Sequence, residues 1–228
     1  MNTLKYRHEY KHAINLLDYH TIRQRVRAVA TLDKNAGADG RYHIRSLYFD
    51  NDEDKALREK LYGLPNREKY RIRIYNKAGD FIRLEKKSKL NGLCNKQSAK
   101  LTKEQAEKII AGDTEWILST DNAVLTGFYA KMHYQRLRPK TLVDYWREAY
   151  IFPYGNVRVT FDSELRTGVY KTGLFDMNAP TFLAGEPGLL LMEVKYDDFL
   201  PDIIRDLIQT NTRRTAAFSK YAACRIYG

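Results

Sequence analysis

Polar and apolar positions alternate with period two through the β-rich segments of this chain, and the polar set is mostly cationic. In "KYRIRIYNKAGDFIRLEKKSKL", Lys69 to Leu90, one face of the first strand carries Lys69, Arg71 and Arg73, and one face of the second carries Arg83, Glu85, Lys87 and Lys89. The opposite faces carry Tyr70, Ile72, Ile74, Ile82 and Leu84, because successive strand side chains point to opposite sides. The alternation recurs. "LKYRHEYKH" sets Arg7, Glu9 and Lys11 against Tyr6, His8, Tyr10 and His12, and "NVRVTFDSEL" sets Arg158, Thr160 and Asp162 against Val157, Val159 and Phe161. "GLLLMEVKYDD" sets Glu193 and Lys195 against Met192, Val194 and Tyr196. "RYHIRSLYFD" and "KTLVDYWREAYIF", which carries Arg147, complete the predicted strands.

Helical spacing separates them. Ile22, Val26 and Val29 recur at i, i+4 and i+7 within 18–30, predicting an amphipathic helix. "NDEDKALREKLYG" predicts a short helix with acids in its first turn, ended by Gly63 and Pro65. Thr102 and Gln105 form a capping box for a helix closing at Gly112. Val124, Leu125, Phe128 and Met132 mark another helix near 121–135, and "PDIIRDLIQ" and "TAAFSKYAAC" predict terminal helices. Residues 164–187, punctuated by Gly and Pro, give no clear element. There is no internal repeat or linker, so a single domain over 1–228 is expected.

Two folds satisfy this pattern. One is an open antiparallel sheet with a solvated charged face. The other is an α+β fold in which a closed antiparallel β-barrel turns its apolar strand faces outward under amphipathic helices and encloses the charged faces. On the polar strand faces, bases (Arg7, Lys11, Lys69, Arg71, Arg73, Arg83, Lys87, Lys89, Arg147, Arg158, Lys195) outnumber acids (Glu9, Glu85, Asp162, Glu193, Asp197) about two to one. Enclosed, they repel one another unless a polyanion binds. A closed barrel therefore implies a tunnel for a phosphate chain.

Composition agrees. A formal net charge of +11 over 228 residues favours an anionic partner. Cys94 and Cys224 are too few and too isolated for a metal cluster or disulfide framework, which suits a reducing, cytoplasmic setting. No stretch approaches the apolar length of a membrane span. His8, His12, His20, His43 and His133 lack metal-ligand spacing, and no glycine-rich phosphate loop is present. Trp116 and Trp146 read as core residues rather than a base-stacking platform, which leaves nucleic acid the third choice of partner.

"RHEYK", "SLYFD", "RIRIY", "RLEKKSK", "DYWREAY", "VRVTFD", "LLLMEVKY" and "FSKY" occur in the order seen in the vacuolar transporter chaperone (VTC) catalytic domain. The chain resembles that polyphosphate polymerase family of the triphosphate tunnel metalloenzyme, or CYTH-like, superfamily over essentially its whole length. The resemblance implies a barrel tunnel that transfers the ATP γ-phosphate to inorganic polyphosphate with Mn²⁺ or Mg²⁺. It implies phosphate-binding roles for Lys11, Arg71, Arg73, Lys87, Arg147, Lys195 and Lys220, of which Arg71, Arg73, Lys87, Arg147 and Lys195 would be catalytic. It also implies a lysine after the hairpin, Lys96 or more closely Lys100, and Glu193 as the metal carboxylate, with Glu9, Glu85 and Asp162 as further candidates. The superfamily opens on Glu-x-Glu-x-Lys, whereas Arg7, Glu9 and Lys11 stand here, so one metal carboxylate is missing and hydrolase assignments weaken. The phosphate-sensing domain and membrane helices of eukaryotic relatives are not expected, and regulation and translocation are not carried over.

The chemistry requires no catalytic Ser, Cys or His. Phosphoryl transfer needs charge neutralisation and in-line positioning, which arginine forks and a metal supply, and a terminal phosphate is already an anionic nucleophile. Water would need activation, for which Glu9, Glu85 or Glu193 are candidates. The alternatives to a polymerase are thus a triphosphate or nucleoside triphosphate hydrolase in the same tunnel, or a non-catalytic polyphosphate or nucleic-acid binding module. Glu193 as a partner of Lys195, Glu85 as a charge balancer, and Lys69, Arg83 and Lys89 as rim or surface charges complete the expectations.

Overall fold

A computed structural model describes residues 6–76, 78–209 and 218–226. In chain order the elements are β1 (Tyr6–Ile14), α1 (Leu16–Arg27), β2 (Thr31–Leu32), β3 (Tyr42–Asp50), α2 (Lys55–Leu61), β4 (Arg67–Tyr75), β5 (Ala78–Leu90), β6 (Leu93–Leu101), α3 (Lys103–Ala111), α4 (Ala123–Tyr134), β7 (Arg138–Phe152), β8 (Val157–Thr167), β9 (Phe182–Leu183), β10 (Leu190–Tyr196), α5 (Asp202–Leu207) and α6 (Lys220–Ile226). Neighbours run β7-β3-β4-β5-β6-β1-β10-β8, and β8 pairs back onto β7, closing an antiparallel barrel. The two-residue strands β2 and β9 attach to β7 and β8. The open sheet is thereby excluded, and the barrel of the α+β reading stands.

Outward faces supply the core. Leu47, Phe49, Tyr70, Ile72, Ile74, Ile82 and Leu84 pack beneath Ala106 and Ile109 of α3 and Leu125, Phe128 and Met132 of α4. On the other side of the barrel, Val157, Val159, Phe161, Met192 and Val194 bury against Ile22 and Val26 of α1 and Ile204 of α5. Burying each such side chain stabilises by about 1.5–3 kcal/mol, which fixes strand parity, since a one-residue slip would expose the whole set. The helices begin where caps allow. The Asn15 side chain accepts from the Asp18 amide at 2.8 Å, the Thr102/Gln105 box forms, and Gly112 ends α3 in the left-handed region at φ 90°.

The structure departs from the sequence reading in four places. Asp52, Glu53 and Asp54 precede α2 rather than forming its first turn, and Asp54 stands in the left-handed region at φ 51°. The strand β6 was not predicted. The last helix begins at Lys220, and residues 215–217 of its predicted start lie outside the described residues. Finally, the β7–β8 register shifts between Asp144 and Trp146, and Glu164 adopts φ 52°. Asp162 keeps the inward parity of Arg158 and Thr160, and the irregularity that follows it switches that parity, so that Leu165 packs with Tyr221 and Cys224 of α6. The helix α6 thus sits on the inward side of β3, β7 and β8. Among the described residues no helix is long and apolar enough to cross a membrane.

Candidate functional site

Four carboxylates organise the cations of the lumen. On β5, Glu85 is 1% exposed and meets Arg71 Nη2 at 2.6 Å, Arg73 Nη1 at 3.7 Å and Lys96 Nζ at 3.1 Å. Arg71 is braced from β3, and Arg73 from β3 and β7. Arg71 donates to the Tyr48 hydroxyl at 2.6 Å, and Arg73 donates to Ser46 Oγ at 3.1 Å and the Tyr145 hydroxyl at 3.0 Å. The Arg-x-Arg spacing places both guanidiniums on one face of β4, and the barrel supplies the hydroxyls that hold their planes.

Glu9 of β1 takes Lys87 Nζ at 2.7 Å, Lys195 Nζ at 3.4 Å and Lys11 Nζ at 3.9 Å. Glu193 of β10 lies 2.6 Å from Lys220 Nζ, 3.2 Å from Lys195 Nζ, 3.5 Å from Lys11 Nζ and 3.6 Å from Arg147 Nη2. Asp162 receives the Arg147 fork, with Nε and Nη2 each at 2.6 Å, and Lys220 Nζ at 2.6 Å. The sequence thus brought Lys11, Arg71, Arg73, Lys87, Arg147, Lys195 and Lys220 into one lumen with Glu9, Glu85, Asp162 and Glu193. Of the two candidate lysines on β6, Lys96 reaches Glu85. Lys100 shares its face and stands opposite Arg83 in the ladder, and both lysines are exposed.

Burial opposes ionisation of Glu85, and Arg71, Arg73 and Lys96 outweigh it, holding the carboxyl well below the usual glutamate range. The same contest keeps Glu9 ionised beside Lys87, Lys11 and Lys195, and Glu193 ionised beside Lys11, Lys220, Lys195 and Arg147. Burial wins at Lys195 and at Lys69. The Lys195 ammonium is pushed down to about 8 despite Glu193 and Glu9, and the Lys69 ammonium is pushed down to about 8 despite Tyr48. Burial would raise the Tyr48 hydroxyl, but Arg71, Lys69 and Arg73 bring it down to about 7. The lumen is therefore cationic and strained by its own charge, as the strand count implied.

Two residues expected at the rim line the site. Lys69 and Lys89 border a cavity of about 310 Å³ with Glu9, Lys11, Lys87 and Tyr221, and Lys69 lies 5.4 Å from the Tyr48 ring centre. Arg83 donates to Ser98 and lies over Phe81. Sequence reasoning missed Tyr48, Ser46 and Tyr145. The parity of β3 carried a signal, since Ser46 and Tyr48 alternate with Leu47 and Phe49, but a neutral hydroxyl among β-formers does not stand out.

Among the described residues no three His, Cys, Asp or Glu side chains form a metal-binding group. The best fit to a divalent cation is Glu193 with Asp162, whose oxygens each lie 2.6 Å from the Lys220 ammonium. Oxygen donors suit Mg²⁺ or Mn²⁺, which take remaining positions from water and phosphate. Thr160 adds a hydroxyl on the same inward face, opposite Glu193 in the ladder, buried and without a hydrogen-bond partner among the described residues.

Solved structures share the fold. A Bacillus halodurans protein described as a candidate adenylate cyclase aligns at TM-score 0.51 and 10% identity, covering 89% of this chain and 86% of that one. A Hippeastrum protein, HpAC1, described as a candidate adenylyl cyclase with a dominant triphosphatase activity, aligns at TM-score 0.56 and 12% identity over 97% and 96%. No curated protein matches the sequence. The sequence model of the VTC domain matches residues 6–226, from the first residue of β1 to the last of α6. That span contains every lumen side chain described above, and the chain belongs to the VTC domain family.

Proposed function

We propose that this protein is a polyphosphate polymerase that moves the γ-phosphate of ATP onto the end of an inorganic polyphosphate chain and releases ADP. The observation that carries the reading is a closed lumen, in a VTC-family barrel, whose wall bears Lys11, Arg71, Arg73, Lys87, Lys96, Arg147, Lys195 and Lys220 around four ionised carboxylates.

Arg71 and Arg73 hold the transferring phosphoryl group, and their guanidinium forks match its equatorial oxygens as charge builds. Lys11, Lys87, Lys195 and Lys220 hold the phosphates on either side in line, so a terminal oxygen of the chain forms the new P–O bond as the bond to ADP breaks. Glu193 and Asp162 would hold a Mn²⁺ or Mg²⁺ ion, which would supply neutralisation of the phosphate charge. Glu9, Glu85 and Glu193 balance charge when the tunnel is empty.

The carboxylates also bear on the choice between polymerisation and hydrolysis. Cations hold Glu9, Glu85 and Glu193 well below the usual range, which makes each a weak base for activating water. A chain-end phosphate needs no base. Purified protein incubated with ATP and Mn²⁺ or Mg²⁺ is expected to yield ADP and long chains resolved on a gel. Stoichiometric free phosphate without chains identifies a hydrolase, and unchanged ATP identifies a binding module.

A further inference from the structure

We infer that the point between Glu193 and Asp162 is a divalent-cation seat which the Lys220 ammonium occupies in the substrate-free protein, so that a metal ion can settle there only as Lys220 leaves. The inference rests on the phosphate-tunnel reading for its physiological meaning but not for its test.

Lys220 is the one cation 2.6 Å from both carboxylates. Arg147 Nη2 also spans the pair, but unevenly, at 2.6 Å from Asp162 and 3.6 Å from Glu193. Arg147 grips Asp162, while Lys195 and Lys11 stand 3.2 and 3.5 Å from Glu193. An ammonium at 2.6 Å from two oxygens fills the space that a cation with oxygen ligands at about 2.0–2.2 Å would take. Steric exclusion is reinforced by charge, because a divalent ion added beside Lys220, Arg147, Lys195 and Lys11 would meet a region that already holds four positive groups and two negative ones. The buried Thr160 hydroxyl, opposite Glu193 in the ladder, has no hydrogen-bond partner among the described residues, and its oxygen is a further donor that a metal at this point could take.

A flexible lysine is suited to this exchange. Its charge rides on a four-carbon stem that can swing to an entering phosphate, freeing the two carboxylate oxygens it bridged while Arg147 stays on Asp162 and Lys195 and Lys11 stay beside Glu193, and raising the affinity of those oxygens for a divalent ion. Anion binding would thus precede metal binding, and the empty tunnel would be guarded against free metal by its own side chain.

The direct test titrates Mn²⁺ alone into the full chain, without nucleotide or phosphate, and reads free Mn²⁺ by electron paramagnetic resonance. Wild type is expected to bind weakly. Lys220→Met is expected to bind at least tenfold more tightly, Lys220→Arg to stay weak, and Lys220→Met with Glu193→Gln to lose the gain. Equal binding by wild type and Lys220→Met, whether tight or absent, overturns the inference. If Lys220→Met does not fold, wild-type crystals grown with Mn²⁺ decide instead. Without tripolyphosphate no anomalous peak is expected between Glu193 and Asp162; with it, a peak should appear and Lys220 Nζ should lie on phosphate. A peak beside an unmoved Lys220 overturns the proposal. Failure of the polymerase reading would show in the ATP assay and leave the metal titration unchanged.

Discussion

Arg71 and Glu85 face each other across β4 and β5, with Nε at 2.8 Å and Nη2 at 2.6 Å from the same carboxylate oxygen, Oε2. The fork that would embrace a phosphate is closed on a carboxylate that also takes Arg73 and Lys96. A phosphate must compete with Glu85, so Glu85 sets the affinity of the empty tunnel downward while it keeps the cations from repelling one another.

Glu85→Gln should therefore separate binding from stability. Removing one buried negative charge is expected to tighten tripolyphosphate by about 1.4 kcal/mol, a factor of ten, at low salt. Breaking one side of the buried pair should lower folding stability by about 3 kcal/mol. Calorimetric titration and urea melts check both, and weaker binding in the variant would show that Glu85 acts on the ligand rather than against it.

Neighbours in sequence should behave as opposites. Arg71→Ala and Arg73→Ala are each expected to weaken tripolyphosphate by ~1.5–3 kcal/mol, the range for charge-assisted hydrogen bonds, with lysine restoring only part. Ile72, wholly buried beneath the helices, should on change to alanine lose about 2–5 kcal/mol of folding stability and leave affinity intact under conditions where the variant is folded. A loss of affinity from Ile72→Ala equal to that of Arg71→Ala would mean that the strand faces do not divide in this way.

This division was the legible part. Long cationic runs alternating with Ile, Val and Leu specify parity, and parity with several amphipathic helices specifies a barrel that hides its charge. The strand β6 escaped because its outward row, Leu93, Asn95, Gln97, Ala99 and Leu101, is apolar only in part; what places it is the ladder to β5 and β1. Lys96 and Lys100 share parity, so only the contact with Glu85 tells them apart. Tyr145 supports Arg73 from β7, a strand far away in sequence, a relation that no local pattern encodes. Lys69 sits one pair further along β4 than the arginines, and whether that position is rim or wall depends on barrel tilt.

Glu193→Gln should abolish metal-stimulated ATP turnover while preserving tripolyphosphate binding. The acid is a metal candidate in a lumen of excess cations, so its loss removes an oxygen ligand without weakening attraction for a polyanion. Turnover against Mn²⁺ concentration, taken with the melting temperature, distinguishes this from an ion-pair role. Unchanged metal dependence with a lowered melt would leave Glu193 as the partner of Lys220 and Lys195 alone.

The last expectation concerns protons. In the empty tunnel the ammoniums of Lys195 and Lys69 lie near 8 and the Tyr48 hydroxyl near 7, all displaced downward from their ordinary values. A bound polyanion favours the protonated form of each, raising all three toward or beyond those values. Between about pH 7 and pH 9 these three groups then hold more protons in the complex than in the free protein, and they take protons up on binding. The sign follows directly: affinity is full below the free-state values, where these groups are already protonated, and falls as pH rises through 7 to 9. Calorimetry of tripolyphosphate binding at pH 8 in buffers of different ionisation enthalpy should report net proton uptake, reduced in Lys195→Met and in Tyr48→Phe. Proton release, or affinity constant from pH 7 to pH 9, would contradict the assignment of these groups to the phosphate-binding wall.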